Sequence, residues 1–446
     1  MSMTGRRRTS SSPDRPRVPG SVPEKATPRV RTVLLSAGAL AACASIAVAC
    51  GVVPGTTGGS GDAPVTVMTW APDKTSATNK PGMPAMAQAY ARWVNAHGGL
   101  KGRKLEVLTC NDHNDYVDAA KCARLAVKEN AVAVVGSYSQ YASSFLSPLE
   151  SAGIPYIGGY GLTDDEFKSV LSYPVNGGQP ALLAGLGEEL GRTCGRVALV
   201  RPDTVAGDEL PLLLDAGLKA AHHAPVADVR AAEDATALDD QARQALGEAT
   251  ANPRKKGCVV PALDERTGTF MDSFRRLSTD YTPVRTASVL GSVDQSVIDS
   301  SGGGSGPYED AYVTGWYPEA SDPRWNEMKE VIKEQAFDDD RIDPADAGVQ
   351  TTWIAYQVLK KVVESLGNRE VSARTIRMAL DNGLKVDTGG LTPTLRWRFQ
   401  DLTAVVDFPR LINSDVTFQV VRGGRLVAAR KGFVNVSKTL ESTDSE

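Results

Sequence analysis

Short apolar runs alternate with longer amphipathic segments along most of the 446-residue chain. From Pro64 onward, runs rich in Val, Ile and Leu are separated by stretches with apolar residues at helical spacing. This pattern is typical of βαβ units around a parallel sheet. The first predicted strands are VTVMTW (65–70), KLEVLTC (104–110), AVAVVG (131–136) and IPYIGG (154–159), with helices predicted at 83–97, 116–130 and 141–153.

The alternation then restarts, so the chain contains two successive α/β halves. The later predicted strands are GRVALV (195–200), PVADV (225–229), GCVVPAL (257–263), VRTASVL (284–290) and DAYVTGW (310–316). Two helices, 323–337 and 345–366, precede three further strands, TLRWRF (394–399), VTFQVV (416–421) and RLVAAR (425–430). We predict an α/β protein with two Rossmann-like lobes, parallel sheets and a ligand cleft at the carboxyl ends of the strands.

The N-terminal residues have a different character from the rest. Residues 1–31 carry eight basic and two acidic residues, a net charge of +6, and no charged residue lies between Thr32 and Cys50. A basic segment before an uncharged run is typical of an export signal, and the richness in Ala, Ser and Gly favours cleavage over a membrane helix. The whole-chain charge of −4 leaves −10 on the remainder, which argues against a nucleic-acid partner.

Two cysteines at the end of this run, Cys43 and Cys50, follow small residues and resemble the lipidated cysteine of a bacterial lipoprotein signal. LAAC (40–43) is closer to the usual motif, but Cys50 is followed directly by the flexible sequence GVVPGTTGGSG. We therefore predict a signal peptide over 1–50, lipidation at Cys50 with Cys43 as the alternative, and a tether over 51–62. An uncleaved membrane anchor is the remaining interpretation.

Four cysteines remain in the main body, and an even number in an exported chain predicts disulfides, with three possible pairings. Cys110 and Cys122 flank one strand-to-helix connection, whereas Cys194 and Cys258 each begin a strand-like run. We favour the pairs Cys110–Cys122 and Cys194–Cys258. No CxxC pair or His–Cys cluster is present in the sequence, so we expect neither a metal nor a cofactor.

One segment carries a family resemblance. Residues 95–135, NAHGGLKGRKLEVLTCNDHNDYVDAAKCARLAVKENAVAVV, resemble the leucine/isoleucine/valine-binding family of solute receptors, which have the type 1 periplasmic binding fold. In this segment Gly98 and Gly99 end a helix and Gly102 turns the chain into the next strand. The resemblance continues in SPLESAGIPYIG (147–158), YVTGWYPE (312–319) and AGVQTTWIAYQVLKKVVESL (347–366).

The resemblance implies a two-lobed receptor with three hinge strands, near 173–176, 312–316 and 386–391. Lobe 1 would comprise 63–174 plus 315–388 and lobe 2 would comprise 175–314 plus 389–436, followed by a polar tail over 437–446. It also implies an exported, membrane-anchored protein on the extracellular side, which delivers a small ligand to an ABC permease. A tethered sensor of the same fold is the alternative. We expect no enzymatic activity, since GxSxG, P-loop and HExxH motifs are absent.

The family's use of hydroxyls and backbone N–H groups after the third and fourth strands implies a set of ligand-binding residues. The expected residues are Ser137, Tyr138, Ser139, Gln140, Tyr160, Gly161 and Thr163 from lobe 1, Asp203, Asp264 and Ser292 from lobe 2, and Trp70 as an aromatic wall. Tyr160 departs from the family pattern, which usually has a small residue there. The expected ligand is small and polar, such as an amino acid or an amide, and is bound mainly by lobe 1.

The choice of lipidated cysteine is testable in cells. Cys50→Ala should release the protein into the medium because the lipid attachment site is lost, whereas Cys43→Ala should leave it membrane-bound. Fractionation followed by immunoblotting measures both. Release by Cys43→Ala alone would assign lipidation to Cys43, and retention of both variants would indicate an uncleaved anchor.

Overall fold

The computed structural model describes residues 63–442, apart from 76, 77, 205, 206, 233, 264, 265, 290 and 406. The predicted signal peptide, lipidated cysteine and tether therefore lie outside the described residues. No helix in the described part of the chain combines the length and the hydrophobicity needed to cross a membrane.

The first half of the chain forms a parallel sheet flanked by helices. Its elements are β1 (Val65–Trp70), α1 (Gly82–Ala96), β2 (Leu105–Cys110), α2 (Tyr116–Lys128), β3 (Val134–Val135), α3 (Ala142–Ala152), β4 (Tyr156–Ile157), α4 (Asp165–Lys168) and β5 (Ser172–Tyr173). The strand order is β2-β1-β3-β4-β5, and every pairing is parallel. Strand β1 is almost completely buried because helices cover both faces of the sheet.

The second sheet is built mainly from the next part of the chain. Its first elements are α5 (Gly178–Thr193), β6 (Val197–Pro202), α6 (Glu209–Ala220), β7 (Ala227–Ala231), α7 (Asp239–Thr250), β8 (Cys258–Pro261), α8 (Thr267–Leu277), β9 (Arg285–Val289), α9 (Gln295–Ser300) and β10 (Tyr312–Gly315). The later elements are α10 (Asn326–Gln335), α11 (Ala347–Ser365), α12 (Ala373–Asp381), β11 (Asp415–Arg422), β12 (Arg425–Ala428), β13 (Val434–Asn435) and α13 (Ser437–Glu441).

This second sheet has the order β12-β11-β10-β9-β8-β6-β7, with β13 paired to β11. Strands β6 to β10 are parallel, whereas β11 runs antiparallel to its neighbours β10, β12 and β13. Helices α10 and α11 return to the first half and pack on α1, while α13 packs on α5 and α6. We call the first sheet with α1–α4 and α10–α12 lobe 1, and the second sheet with α5–α9 and α13 lobe 2.

The chain crosses between the lobes after β5, after β10 and again before β11. Trp316, directly after β10, is buried, and its indole N–H donates to the carbonyl of Gly178 at 2.9 Å. Trp397, on the third crossing, donates likewise to the carbonyl of Pro174 at 2.8 Å. These bonds join the crossing segments to one another. The residue boundaries of the two lobes stay a prediction.

Two sequence expectations need correction here. The segment 394–399 is not a strand, since its pairing is limited to a bridge between Leu395 and Val386. Its alternation instead arises because Leu395 and Trp397 are buried while the arginines on either side of Trp397 bond to Asp401. The expected polar tail begins with helix α13, whose Leu440 is fully buried against lobe 2.

Both predicted disulfides are confirmed. Cys110, at the end of β2, is bonded to Cys122 on α2, and Cys194, after α5, is bonded to Cys258 at the start of β8. The Cα atoms are 5.7 Å apart in each bridge, a distance within the normal range for a disulfide. Each bridge therefore joins a helix to its own sheet.

The two bridges should differ in their contribution to stability. A disulfide restricts the unfolded chain more when it closes a longer loop, and the sequence separations are 12 and 64 residues. Replacing the Cys110–Cys122 pair with alanines should lower the free energy of unfolding by roughly 3 kcal/mol, and replacing Cys194–Cys258 by roughly 4 kcal/mol. Urea unfolding of the two double variants measures the difference. A larger loss from the Cys110–Cys122 pair would contradict the loop-length explanation.

Candidate functional site

A cavity of ≈ 280 Å³ lies between the two lobes at the carboxyl ends of their strands. Lobe 1 contributes the residues that follow β3 and β4 and the segment before α1, whereas lobe 2 contributes the residues that follow β9 and the first turns of α5. Trp316 comes from the second crossing. The lining residues are Thr78, Lys80, Tyr138, Tyr160, Gly161, Leu162, Gln179, Leu182, Val289, Gly291, Ser292 and Trp316. This is where ligands bind in open α/β sheets.

Three aromatic side chains form one wall of the cavity. The ring of Tyr160 packs edge-to-face against Tyr138, with centroids 5.0 Å apart, and against Trp316, with centroids 5.2 Å apart. The backbone N–H of Tyr160 donates to the carbonyl of Ser137 at 3.1 Å, which fixes the strand ends relative to each other. All three rings are nearly buried, so the wall is rigid and mostly apolar.

Lys80 provides the positive charge of the cavity. Its ammonium forms a 2.8 Å ion pair with Asp346 and lies 5.7 Å from the centroid of the Tyr160 ring. Burial acts to lower the pKa of Lys80, but the Asp346 carboxylate and Tyr160 outweigh it and raise that pKa above its ordinary value. Lys80 therefore stays charged at neutral pH.

The partner of Lys80 is fixed by secondary structure. Asp346 caps the N-terminus of α11, where its side chain accepts the N–H of Val349 at 2.9 Å. Burial acts to raise the pKa of Asp346, yet the Lys80 ammonium and the backbone N–H groups keep it below its ordinary value. The cap therefore anchors the carboxylate, and the carboxylate in turn anchors the lysine beside the cavity.

The two lobes touch at Tyr160 and Gly291. Gly291, which follows β9, has a φ of +97°, and a Cβ added there would overlap the hydroxyl group of Tyr160. A second contact joins the lobes nearby, since the hydroxyl of Ser296 on α9 donates to the carboxylate of Asp343 before α11. The structure thus shows the cleft with its two walls in contact.

A buried acid lies outside the cavity wall, behind the loop that follows β4. One carboxylate oxygen of Glu166 accepts the N–H of Gly161 at 3.1 Å, and the other accepts the N–H groups of Leu162 at 3.0 Å and Thr163 at 3.3 Å. The hydroxyl of Tyr156 donates to the same group at 3.4 Å. Burial raises the pKa of Glu166 to about 7, although these hydrogen bonds act to lower it.

Of the residues expected from the sequence, Tyr138, Tyr160, Gly161 and Ser292 line the cavity. Lys80, Gln179, Leu182 and Val289 line it as well but were not expected. A single lysine in a loop before a helix carries no signal of its own. Trp316 belongs to the YVTGWYPE segment of the family resemblance, which was the available clue to its position.

Three of the expected residues face the interior of lobe 1 instead. Trp70 is fully buried and packs in the core. Its ring centroid lies 5.1 Å from that of Phe145 and 6.2 Å from that of Tyr156. Ser137 accepts the N–H of Trp70 at 3.1 Å, and the buried hydroxyl of Ser139 accepts the N–H of Tyr141 at 3.2 Å. Tyr138 therefore lines the cavity, whereas the side chains of its two neighbours bond within lobe 1.

The remaining expected residues also lie off the cavity or outside the description. Gln140 and Thr163 are partly exposed and are not among the lining residues. Asp203 is exposed, with a carboxylate oxygen 3.7 Å from Arg230, which is the geometry of a surface ion pair. Asp264 lies outside the described residues.

The chain belongs to the periplasmic binding proteins, because that family matches residues 74–407, well over half of its length. Members of this family are extracytoplasmic binding proteins, and its match agrees with two sheets of mostly parallel strands that meet at a cleft. No curated protein matches the chain significantly in sequence.

Solved structures share the fold at low sequence identity. A branched chain amino acid ABC transporter from Thermus thermophilus with bound valine is 14% identical, with 86% of this chain and 100% of that chain covered at a TM-score of 0.66. A possible leucine/isoleucine/valine-binding protein from Rhodopirellula baltica is 14% identical, with coverages of 83% and 96% and a TM-score of 0.66. A solute binding protein of an ABC transporter from Rhodopseudomonas palustris in complex with 3,4-dihydroxy benzoic acid is 13% identical, with coverages of 84% and 98% and a TM-score of 0.63.

The contact between Tyr160 and Gly291 makes a steric prediction. Gly291→Ala should push the cleft walls apart, and a larger radius of gyration in small-angle X-ray scattering should report the change. Gly302→Ala is the matched control, because Gly302 has a similar φ of +104° and its added Cβ would meet ordinary contacts at 3.6 Å. Adding Tyr160→Phe to Gly291→Ala removes the overlapping hydroxyl and should restore compactness. An unchanged radius for Gly291→Ala would contradict the contact.

Proposed function

We propose that this chain is an extracytoplasmic solute-binding lipoprotein that captures a small ligand between its lobes and delivers it to an ABC importer. The observation that carries the proposal is the cavity itself, which both lobes line at the carboxyl ends of their strands. A volume of ≈ 280 Å³ falls near the lower end of known ligand pockets, roughly 300–1,000 Å³, and therefore suits a small molecule.

The lining indicates the chemistry of that ligand. Tyr138, Tyr160 and Trp316 offer flat aromatic surfaces, which favour an apolar ring that packs against them. Lys80 is the one charged side chain among the described lining residues, and Asp346 accepts one of its three donors. We propose that the ligand is a small aromatic acid whose carboxylate accepts from Lys80. The ligand in the Rhodopseudomonas palustris complex has this chemistry.

An α-amino acid fits this cavity less well. The sequence resemblance implied that backbone N–H groups after the fourth strand would bind the ligand carboxylate. In this chain the N–H groups of Gly161, Leu162 and Thr163 donate to Glu166, and the hydroxyls of Ser137 and Ser139 are buried. The donors that would bind an amino-acid carboxylate are therefore already satisfied inside the protein.

Ligand capture would use closure of the two lobes. A ligand that contacts Tyr160 from lobe 1 and Ser292 from lobe 2 binds the closed arrangement more strongly than an open one, so it shifts the population toward closure. The predicted lipid at Cys50 would keep the receptor beside the membrane, where the permease lies. The tether over 51–62 would leave the two lobes free to reorient.

Calorimetry with benzoate, 4-hydroxybenzoate, 3,4-dihydroxybenzoate, benzamide, valine and leucine tests the proposal. We expect an aromatic carboxylate to bind and benzamide, which lacks the negative charge, to bind more weakly. The double variant Lys80→Met/Asp346→Asn removes the cation without leaving an unpaired buried carboxylate. It should weaken carboxylate binding by about 1.5–3 kcal/mol, which is about 10- to 150-fold, and abolish the preference over benzamide.

Lys333→Met is the control for loss of a positive charge, because Lys333 is 78% exposed on α10 and lies away from the cavity. It should leave every affinity unchanged. Tight binding of valine or leucine with no response to the aromatic acids would refute the ligand class. Binding of none of these compounds by the folded protein would count against the proposed function.

A further inference from the structure

Glu166 is a buried acid without a basic partner. It is 2% exposed, and no Lys, Arg or His lies within ion-pair distance among the described residues. Its hydrogen-bond partners are the N–H groups of Gly161, Leu162 and Thr163 and the hydroxyls of Thr163 and Tyr156. A charge buried in this way is costly, whereas a neutral carboxyl group still accepts hydrogen bonds and can donate its own proton to the oxygen of Tyr156, whose hydroxyl lies 3.1 Å from the carbonyl of Ser137.

The loop that Glu166 holds is a wall of the cavity. Gly161 and Leu162 line it, and the carbonyl of Gly161 accepts the N–H of Gln179 from α5 at 3.0 Å. Gly161 has a φ of +83°, and a Cβ added there would lie 2.7 Å from the side-chain oxygen of Asn176. The path of the loop therefore depends on contacts from two sides, with Glu166 on the side away from the ligand.

We propose that Glu166 is a positioning residue for the ligand cavity. It holds the loop over residues 161–163, of which Gly161 and Leu162 line the cavity, most firmly when its carboxyl group carries a proton. Loss of that proton leaves a charge in the interior with no cation beside it, and this cost is relieved when the loop opens and water reaches the carboxylate. The inference rests on the proposed function only in taking this wall to be the one that contacts the ligand.

The direction in which pH changes loop opening follows from the linkage between proton binding and the loop conformation. Burial raises the pKa of Glu166 to about 7 from an ordinary value of 4.5, so the closed loop binds the proton more tightly than the open loop does. The stabilising effect is complete below pH 4.5 and is lost as the pH rises through 7. Between pH 6 and pH 8, the open fraction of the loop should increase about tenfold.

The titratable groups around Glu166 do not account for a pH dependence near neutrality. Tyr156 contacts Glu166 directly, and burial holds the pKa of Tyr156 well above its ordinary value, so it stays neutral in this range. Other charged groups on elements around α4 bond elsewhere: Glu150 to Ser169, Arg410 to the carbonyl of Ser172, and Lys168 to Asp164. The Asp112 carboxylate contributes to the raised pKa of Tyr156. Glu209 interacts electrostatically with Asp164, Lys168 and Asp407.

Hydrogen exchange of the intact mature protein, read by mass spectrometry, tests the inference without any ligand. After correction for the intrinsic pH dependence of exchange, protection of the peptide covering 158–168 should fall about tenfold from pH 6 to pH 8 in the wild type. A peptide from β6 serves as the internal reference. Equal protection of residues 158–168 at the two pH values would overturn the proposal, and this result needs no variant.

Glu166→Gln places a neutral group of the same shape behind the loop and should remove the pH dependence. Glu188→Gln is the matched control, because Glu188 is also buried but pairs with Arg192 and Thr439 in lobe 2. It should keep the wild-type profile at residues 158–168. A pH dependence that persists in Glu166→Gln would assign the effect to another group and refute the role of Glu166.

Benzoate serves as the ligand probe, since it stays ionised between pH 6 and pH 8. In the wild type it should bind more tightly at pH 6, whereas Glu166→Gln should bind it equally at both values. Failure of benzoate to bind at either pH would count against the proposed ligand class, while the exchange data would still decide the role of Glu166.

Discussion

The position of Tyr160 between the two sheets is the constraint on which the site depends. Its ring packs against Tyr138 and Trp316, its face lies near the ammonium of Lys80, and its hydroxyl touches Gly291. A smaller residue would remove the aromatic contact that Trp316 makes across the cavity wall and would enlarge the cavity. The size of the pocket and the approach of the lobes thus follow from one side chain.

Two carboxylates beside this site behave in opposite ways because one has a cationic partner and the other has none. Asp346 pairs with Lys80 and caps α11, so their mutual attraction outweighs the cost of burial and both groups stay charged across physiological pH. Glu166 has backbone N–H groups as its main partners, which offset only part of the cost of burying its charge. The same low-dielectric interior therefore gives one fixed ion pair and one group that titrates near neutrality.

Much of the fold could be predicted from the sequence because hydrophobic periodicity reports burial directly. Strand β1 and helix α11 are found where their patterns indicated, and the family resemblance implied the loops after β3 and β4, which line the cavity in part. The predicted strand over 394–399 was wrong, although its alternating pattern does report burial. Leu395 and Trp397 are buried on alternate positions, but by contacts of a crossing segment and not by a sheet.

The details of the site depend on information that local patterns lack. Which of Ser137, Tyr138 and Ser139 faces the cavity is decided by the path of the backbone after β3, where Gly136 has a φ of +61° and the N–H of Tyr138 donates to the carbonyl of Trp70 at 3.0 Å. The contact between Tyr160 and Gly291 joins residues far apart in the chain and exists only when the lobes meet. Lys80 reaches the cavity because Asp346 from a distant helix attracts it.

The fold is shared with solved structures of low sequence identity because the buried positions and the strand-end loops are under different constraints. Sequences 13–14% identical to this chain keep the two sheets and the cleft, since burial patterns tolerate many substitutions of similar volume. The loops at the strand ends are free of that constraint, so ligand chemistry can change while the fold persists. In this chain Glu166 satisfies the loop N–H groups from within, and Lys80 supplies the charge that faces the cavity. The fold is thereby retained while the cation beside the cavity of this chain comes from a side chain, and the loop N–H groups are bonded within the protein.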